Sequence, residues 1–283
     1  MTVRLETLYE RQPAASSALT EPLREMYGGD LDLPRPPERP YVIANFVETL
    51  DGVVSFAIPG RSGGGEISGQ NAADRFVMGL LRACADAVVF ASGTLHGDAG
   101  HVRTAAFIYP DAAGLYADLR ARVSPARPEP LNVIVTGSGR VDLREPTFHT
   151  PGLETLIVTT GEGERQLRAD HGDALRVTRV RAVADAGPVP PAAVVHLLGR
   201  EFGVRLLLHE GGPTLLGSFL TAGLMDELFL TVAPQVAGRD GPVRPGLAEG
   251  AAFLPEAAPW FELQGVKRSE DHLFLRLSAR VRG

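Results

Sequence analysis

The segment RLLLHEGGPTLLGSFLTAGLMDELFLTVAP, residues 205–234, decides the fold class of this chain. Its first apolar run predicts a buried central strand, the following GPTLLGSFLTAGL predicts a helix, and DELFLTVAP predicts a second strand. A strand, a helix and a strand in succession are typical of a parallel sheet, because parallel neighbours need a crossover connection. Glu210 and two glycines separate the first strand from the helix, which suits either a tight turn or an anion site beside an acid.

The same alternation of strands and helices runs through the rest of the chain. Apolar runs predict five further strands and three further helices, and the tail predicts a hairpin around Ser-Glu-Asp. The glycine-rich stretch 59–69 is expected to hold little regular structure. The predicted strands are 41–47, 86–92, 131–139, 153–160 and 174–180, the predicted helices are 71–85, 114–123 and 190–204, and the hairpin lies within 260–281.

These elements predict an α/β fold with a mostly parallel central sheet and an antiparallel C-terminal hairpin. Residues 1–39 are polar and rich in proline, so we expect an N-terminal arm that feeds the main domain. Residues 40–283 are expected to form that single domain.

Composition excludes several classes of protein. A net charge of −6 argues against nucleic acid as the main partner, since phosphate backbones require a basic surface. No apolar run approaches the roughly 20 residues that span a bilayer, and the N-terminus lacks the apolar region of a secretory signal. The single cysteine, Cys84, excludes an intrachain disulfide and a cysteine-rich zinc site, and we expect it to be buried. We therefore predict a cytoplasmic, metal-independent protein with a small-molecule partner and no membrane association.

Three loops follow predicted strands and combine small residues with hydroxyl or amide donors. They are FASGTLHGD at 90–98, VTGSGR at 135–140 and HEGGPTLLGS at 209–218. Open α/β sheets bind ligands beyond the carboxyl ends of their strands, where backbone N–H groups and helix N-termini favour a diphosphate. Each loop alone is as well explained by a tight turn, but the three together favour a dinucleotide site. Asp51-Gly52 is a fourth candidate, with a turn as the alternative.

Four motifs carry a resemblance to a known family. They are VETLDGVVS at 47–55, EISG at 66–69, LLRACADAVVFASGT at 80–94 followed by Asp98, and the run from His209 to Gly238 that begins HEGGPTLLGS. In this order and spacing they resemble the reductase domain of bacterial riboflavin biosynthesis, which belongs to the dihydrofolate-reductase-like superfamily. The resemblance covers approximately residues 40–280.

The resemblance implies a dihydrofolate-reductase-like three-layer α/β/α fold that binds NADPH across the carboxyl edge of its sheet, in a homodimer. It also implies the reaction of that family, reduction of the ribose of 5-amino-6-(5-phosphoribosylamino)uracil to a ribityl chain. The hydride chemistry would belong to the cofactor, and the protein would position the two reacting carbons.

Site residues follow from the resemblance position by position. Glu210 matches a substrate-contacting glutamate, and a proton-donating role would suit it; Asp51 lies in the family's Leu-Asp-Gly motif and is the second catalytic candidate. Arg82 matches an arginine that meets the substrate. The cofactor positions are Val47, Thr94 and Asp98, the loop residues Thr136 and Ser138, and the run Gly211, Gly212, Pro213, Thr214, Leu215, Leu216, Gly217 and Ser218.

The segment GDAGHVRT, residues 97–104, departs from the family pattern and puts the substrate in doubt. Arg103 is a candidate for a substrate phosphate, although a surface arginine is the favoured interpretation. His96, His101 and His209 are expected at the surface or behind the site residues, since no pair has metal-ligand spacing. Two other functions stay open: reduction of another heterocycle such as dihydrofolate, and a non-catalytic NADP-binding relative.

Overall fold

The computed structural model describes residues 3–11, 18–58, 60–240 and 243–280. No helix in these ranges has the length and apolar content needed to cross a membrane. The strands are β1 (Glu6–Glu10), β2 (Tyr41–Thr49), β3 (Ala87–Ala91), β4 (Leu131–Val135), β5 (Thr155–Thr159), β6 (Arg179–Ala182), β7 (Leu206–His209), β8 (Glu227–Ala233), β9 (Phe261–Ser269) and β10 (His272–Ala279). The helices are α1 (Glu21–Tyr27), α2 (Gly64–Ile67), α3 (Ala72–Cys84), α4 (Ser92–Gly97), α5 (Ala105–Ile108), α6 (Ala113–Val123), α7 (Gly161–His171), α8 (Pro191–Phe202) and α9 (Pro213–Thr221).

All described strands belong to one sheet, in the order β1-β9-β10-β8-β2-β7-β3-β4-β5-β6. The seven strands from β8 to β6 run parallel, whereas β10, β9 and β1 are joined to them by antiparallel pairing. The strand predicted from RLLLHE is β7, which lies between β2 and β3 near the middle of the sheet. The predicted mostly parallel sheet with an antiparallel C-terminal hairpin is therefore confirmed.

Helices cover both faces of the sheet, as the three-layer prediction requires. Successive strand residues point to opposite faces, so Leu208 joins one core with α3 and α6, and Leu207 joins the other with α8 and α9. Each of these leucines is fully buried, which stabilises the fold by about 1.5–3 kcal/mol per side chain. Cys84 is also buried, as predicted, and burial raises the pKa of its thiol to about 12.

Two local predictions were wrong. The glycine-rich stretch 59–69 contains the short helix α2. Its last residue, Ile67, is fully buried, and this packing stabilises the helical turn. The strand predicted at 174–180 begins only at Arg179, after a 3₁₀ segment at 172–177. On this side of the sheet, its neighbour β5 pairs only with residues 179–182. Residues 174–178 therefore form no strand, because they do not pair with β5.

The N-terminal arm contributes to the same sheet. β1 pairs with the outer edge of β9, and Leu5, Leu23 and Leu31 are buried in the core that also holds α3. The outer edge of the C-terminal hairpin is therefore covered by this chain itself. The division of the chain at residue 40 stays a prediction.

Candidate active site

A cleft of about 1040 Å³ lies beyond the carboxyl ends of the central parallel strands. Val47 reaches it from β2, Thr94 and Asp98 from the segment after β3, and Glu210 and Gly212 from the segment after β7. Because these strands are parallel neighbours, their carboxyl ends meet at one edge, which is where open α/β sheets bind ligands. Two of the four loop features predicted from sequence, 90–98 and 209–218, contribute residues to this cleft, whereas 135–140 and Asp51-Gly52 are not among the described residues that line it.

The two glycines after β7 serve different geometric needs. A Cβ on Gly211 would lie 2.2 Å from Cβ and 2.3 Å from Cα of Phe90, so only glycine lets this turn cross β3. Gly212 has φ +66°, and a Cβ there would lie 3.1 Å from Oγ1 of Thr94. The turn therefore holds the backbone close to β3 and starts α9 beside the cleft, where first-turn N–H groups lack helical partners. This cradle fits an anionic group such as a diphosphate.

Only the start of the predicted diphosphate segment faces the cleft. Residues 212–215 line it, whereas Gly217 packs on the Glu249 carbonyl, 2.2 Å from where a Cβ would be. Leu216 is buried in the core, and Ser218 donates a hydrogen bond from Oγ to the Leu215 carbonyl at 2.7 Å. The second half of the segment therefore anchors the helix.

Arg82 and Glu210 form a buried ion pair at one side of the cleft. Nε of Arg82 donates to Oε1 and Oε2 of Glu210 at 2.9 and 3.1 Å, and Nη2 donates to Oε2 at 2.7 Å. Their side chains are only 2% and 5% exposed. The remaining Arg82 contacts go to the Thr104 carbonyl at 3.1 Å and to Nε2 of His101 at 3.0 Å. Arg82 is therefore engaged inside the protein, and its geometry holds Glu210 in one orientation.

Arg103 is buried, which makes the surface interpretation wrong. Its guanidinium lies over the Phe90 ring, 3.8 Å from the centroid, and Nη2 is 3.7 Å from Oδ2 of Asp98. Nη1 is buried and has no hydrogen-bond partner among the described residues. Desolvation, together with the nearby Arg82 charge, lowers the pKa of Arg103 to about 10. A buried cation with an unused donor on a cleft wall provides a place for an anion.

Asp51 is bound to the protein's own backbone. Its carboxylate accepts hydrogen bonds from Oγ1 of Thr49 at 2.5 Å and from the N–H groups of Ala237 and Gly238 at 3.0 and 2.8 Å. These bonds, that from Thr49 first, lower the pKa of Asp51 to about 2. Asp51 is not among the described residues that line the cleft. Its hydrogen bonds to Ala237 and Gly238 join the turn after β2 to the segment after β8.

The loop after β4 lies apart from the main cleft. Thr136 is buried and accepts a hydrogen bond from the Gly139 N–H at 3.1 Å, and Ser138 is exposed. Arg140, on the same loop, lines a second cavity of about 580 Å³. His96 lines both cavities, so the two adjoin at that residue.

The cleft brings together ten of the predicted site residues. Those on its lining are Val47, Arg82, Thr94, Asp98, Arg103, Glu210, Gly212, Pro213, Thr214 and Leu215. The predicted positions outside the described lining are Asp51, Thr136, Ser138, Gly211, Leu216, Gly217 and Ser218.

Two of the three histidines near the loops lie against cleft residues, which is one of the two placements expected. His209 is fully buried between the rings of Phe46 and Phe219, at centroid distances of 5.8 and 5.1 Å. Burial lowers its pKa to about 3. His101 supports Arg82, and desolvation followed by the charge of Arg82 lowers its pKa to about 2. Of the three, only His96 is exposed.

Sequence reasoning missed Asp74, a carboxylate on the cleft wall that is only 4% exposed. It lies on α3 with Met78 and Arg82, which also line the cleft. These residues are four apart, so they share one face of the helix. Helical spacing from the predicted Arg82 is the signal that identifies Asp74.

Comparisons with known proteins identify the family of this chain. A model of the RibD C-terminal domain family matches residues 40–267. A 2,5-diamino-6-ribosylamino-4(3H)-pyrimidinone 5′-phosphate reductase from Archaeoglobus fulgidus is 29% identical over 221 residues, covering 76% of this chain and 89% of the relative. The reductase of the same name from Methanothermobacter thermautotrophicus is 30% identical over 206 residues, covering 71% of this chain and 80% of the relative.

A solved structure, Acinetobacter baumannii RibD, shares the fold with a TM-score of 0.62 at 20% identity. The alignment covers 86% of this chain and 59% of that protein, so this chain spans less than two thirds of it. The predicted fold and the predicted resemblance to riboflavin-pathway reductases are confirmed. By sequence match over most of its length, this chain belongs to the RibD C-terminal domain family.

Proposed function

We propose that the chain is an NADPH-dependent reductase that converts the ribose of a ribosylaminopyrimidine 5′-phosphate to a ribityl chain. One observation carries this proposal: a single cleft has the N-terminal turn of α9 on one wall and an anchored carboxylate with a partly unpaired arginine on another. Relatives with 29% and 30% identity bear the name of such a reductase.

The cofactor would be held by the segment after β7 and the segment after β3. N–H groups at the start of α9, from Thr214 and Leu215, suit the diphosphate, with Thr94 and Asp98 opposite. When bound, the cofactor supplies a hydride to the ribose carbon. Arg140 lines the adjoining cavity and is the candidate contact for the 2′-phosphate that distinguishes NADPH from NADH.

The substrate end would be formed by Glu210, Arg82 and Arg103. Arg82 fixes the Glu210 carboxylate with two-point bonding, so Glu210 can accept a hydrogen bond from a sugar hydroxyl or amine without moving. The free Nη1 of Arg103 suits a substrate phosphate. Asp51 would act indirectly, since its bonds to Ala237 and Gly238 hold the turn that follows β2.

The proposal is tested by turnover of the purified protein. With NADPH and a ribosylaminopyrimidine 5′-phosphate, nicotinamide absorbance should fall, and NADH should be used less well. NADPH binding without turnover of any pyrimidine would support the non-catalytic alternative instead. Turnover of dihydrofolate alone would favour the other heterocycle.

We also propose that the enzyme works as a homodimer, on the family resemblance alone. Light scattering of the purified protein should give twice the 30.1 kDa chain mass. A monomer with full activity would overturn this part without affecting the reaction.

A further inference from the structure

Asp74 is a buried carboxylate that forms no ion pair with an arginine or lysine of the described residues. It lies in the first turn of α3, is 4% exposed and lines the cleft. The side chains of Thr231 and Ser68 lie near its carboxylate and favour the charged form. It is near enough to Glu210 for the two carboxylates to repel, so both belong to the same part of the cleft.

The role of helix cap is already filled by a different residue. Oδ1 of Asn71 accepts hydrogen bonds from the N–H groups of Ala73 and Asp74, at 2.9 and 3.0 Å. The Asp74 side chain instead lies near Thr231 on β8 and Ser68 after α2. The start of α3 is therefore satisfied without the Asp74 carboxylate.

Within the described part of the chain, no arginine or lysine forms an ion pair with Asp74. Burial raises the pKa of the Asp74 carboxyl, and Thr231, Ser68 and His272 offset this in part. A carboxylate removed from water is unfavourable unless strong donors approach it. On a cleft wall, those donors can come from a ligand.

The chemistry of the substrate base indicates which ligand supplies them. A 2-amino-4(3H)-pyrimidinone presents an N3–H and a 2-amino N–H side by side, two parallel donors that match the two oxygens of one carboxylate. A uracil presents the same N3–H between two carbonyl oxygens. If uracil bound to a carboxylate through N3–H, one uracil carbonyl oxygen would face the second carboxylate oxygen. Both are acceptors, so they would repel each other.

We propose that Asp74 recognises the paired N3–H and 2-amino donors of a 2-amino-4-oxopyrimidine, so that this enzyme reduces the 2-amino compound rather than the 2-oxo (uracil) compound. This inference rests on the proposed function and names the substrate class of the same site. It differs from the uracil substrate that the sequence resemblance implied. Asp74 is the residue that determines specificity for the base, and Glu210 serves the sugar.

The first test compares two substrates with the unaltered protein. We expect kcat/KM for 2,5-diamino-6-ribosylamino-4(3H)-pyrimidinone 5′-phosphate to exceed that for 5-amino-6-(5-phosphoribosylamino)uracil by about 10²-fold or more, since sites built around a substrate donor reject analogues that lack it. Equal or better use of the uracil compound would overturn the role of Asp74 and leave the proposed function standing. Failure with both compounds would overturn the proposed function itself.

The second test is Asp74→Asn, which keeps size and offers one acceptor and one donor. An amide matches the N3–H and one carbonyl of uracil, so the preference should fall by about 10²-fold through loss on the 2-amino compound and gain on uracil. A purely structural role would lower both activities together and leave their ratio unchanged. Asp86→Asn is the matched control, because Asp86 is also buried but binds Arg35 and backbone N–H groups away from the cleft; its ratio should stay at the wild-type value.

Dihydrofolate carries the same 2-amino-4-oxopyrimidine edge but no ribosyl phosphate. It therefore tests recognition of the base separately from recognition of the ribosyl substrate. If it alone is reduced, and Asp74→Asn abolishes that activity, recognition by Asp74 is supported while the ribosyl substrate is overturned. If Asp74→Asn does not fold, the substrate preference of the unaltered protein decides the proposal.

Discussion

Replacing Glu210 by leucine would leave the guanidinium of Arg82 buried without its counter-ion. The structure gives the size of the effect: the shortest contacts of the pair, 2.7 and 2.9 Å, are charge-assisted, and the side chains are 2% and 5% exposed. Removing one partner of such a pair costs about 3–5 kcal/mol of unfolding free energy. Arg82→Leu should be at least as harmful, because it also removes the bonds to Thr104 and His101.

The double variant Arg82→Leu/Glu210→Leu should be less destabilised than the sum of its single changes. We expect a coupling energy of about 2–3 kcal/mol, measured by urea unfolding of the four proteins in the cycle. Arg168 and Glu164 on α7 provide the control, since this pair is exposed and should couple by only about 0.3–0.5 kcal/mol. Coupling between Arg82 and Glu210 no larger than the control would refute the buried pair.

The same glutamate can be tested for function without removing its shape. Glu210→Gln should lower turnover by roughly 10²-fold or more with the fold retained, the usual scale for loss of an acid–base or orienting carboxylate. Circular dichroism and a thermal melt provide the control for folding. Turnover equal to that of the unaltered protein would remove Glu210 from the reaction.

Three further changes have definite expected outcomes. Gly211→Ala should destabilise the protein by about 1–3 kcal/mol in a thermal melt, because its Cβ would overlap the backbone of Phe90; Gly93→Ala, with open space around it, should change stability by less than about 0.5 kcal/mol. Arg103→Met should raise KM for the phosphorylated substrate by about 10- to 100-fold, through loss of a charged hydrogen bond, while stability is kept or improved. His209→Leu should flatten the loss of stability in acid. The unfolded chain protonates this ring below its ordinary pKa of 6.5 and the folded protein only near 3, so the contribution is full above 6.5 and is lost as pH falls, by about 1.4 kcal/mol per pH unit.

Each of these has an outcome that contradicts it. Equal melting temperatures for the two glycine variants would mean that the turn does not pass so close to β3. An unchanged KM in Arg103→Met would remove the phosphate contact. A pH dependence of unfolding in His209→Leu that matches the unaltered protein between pH 6.5 and 3 would show that His209 is accessible to protons.

Much of the fold could be predicted from the sequence because its strands are short apolar runs with clear ends. β7 and α9 follow directly from RLLLHE and GPTLLGSFL. β1 was not predicted, since its residues are largely exposed and only pairing with β9 makes them a strand. A strand buried on both faces is a continuous apolar run in the sequence, whereas an exposed edge strand has no such run.

The cleft was harder to predict because its residues meet only in three dimensions. The sequence indicated that Gly211 permits a close approach, but the neighbour is Phe90 of the protein itself. Asp74 near a helix start has the pattern of an ordinary first-turn acid, and its position near Thr231 depends on a strand far along the chain. Arg103 was expected at the surface because nothing in its local sequence predicts its stacking on Phe90.

A crystal structure of the protein with NADPH bound tests the assignment of the cleft most directly. The diphosphate should lie within hydrogen-bond distance of the N–H groups of Thr214 and Leu215, with the nicotinamide on the side of Glu210 and Asp74. A diphosphate bound elsewhere, or a nicotinamide ring away from those two carboxylates, would contradict the assignment.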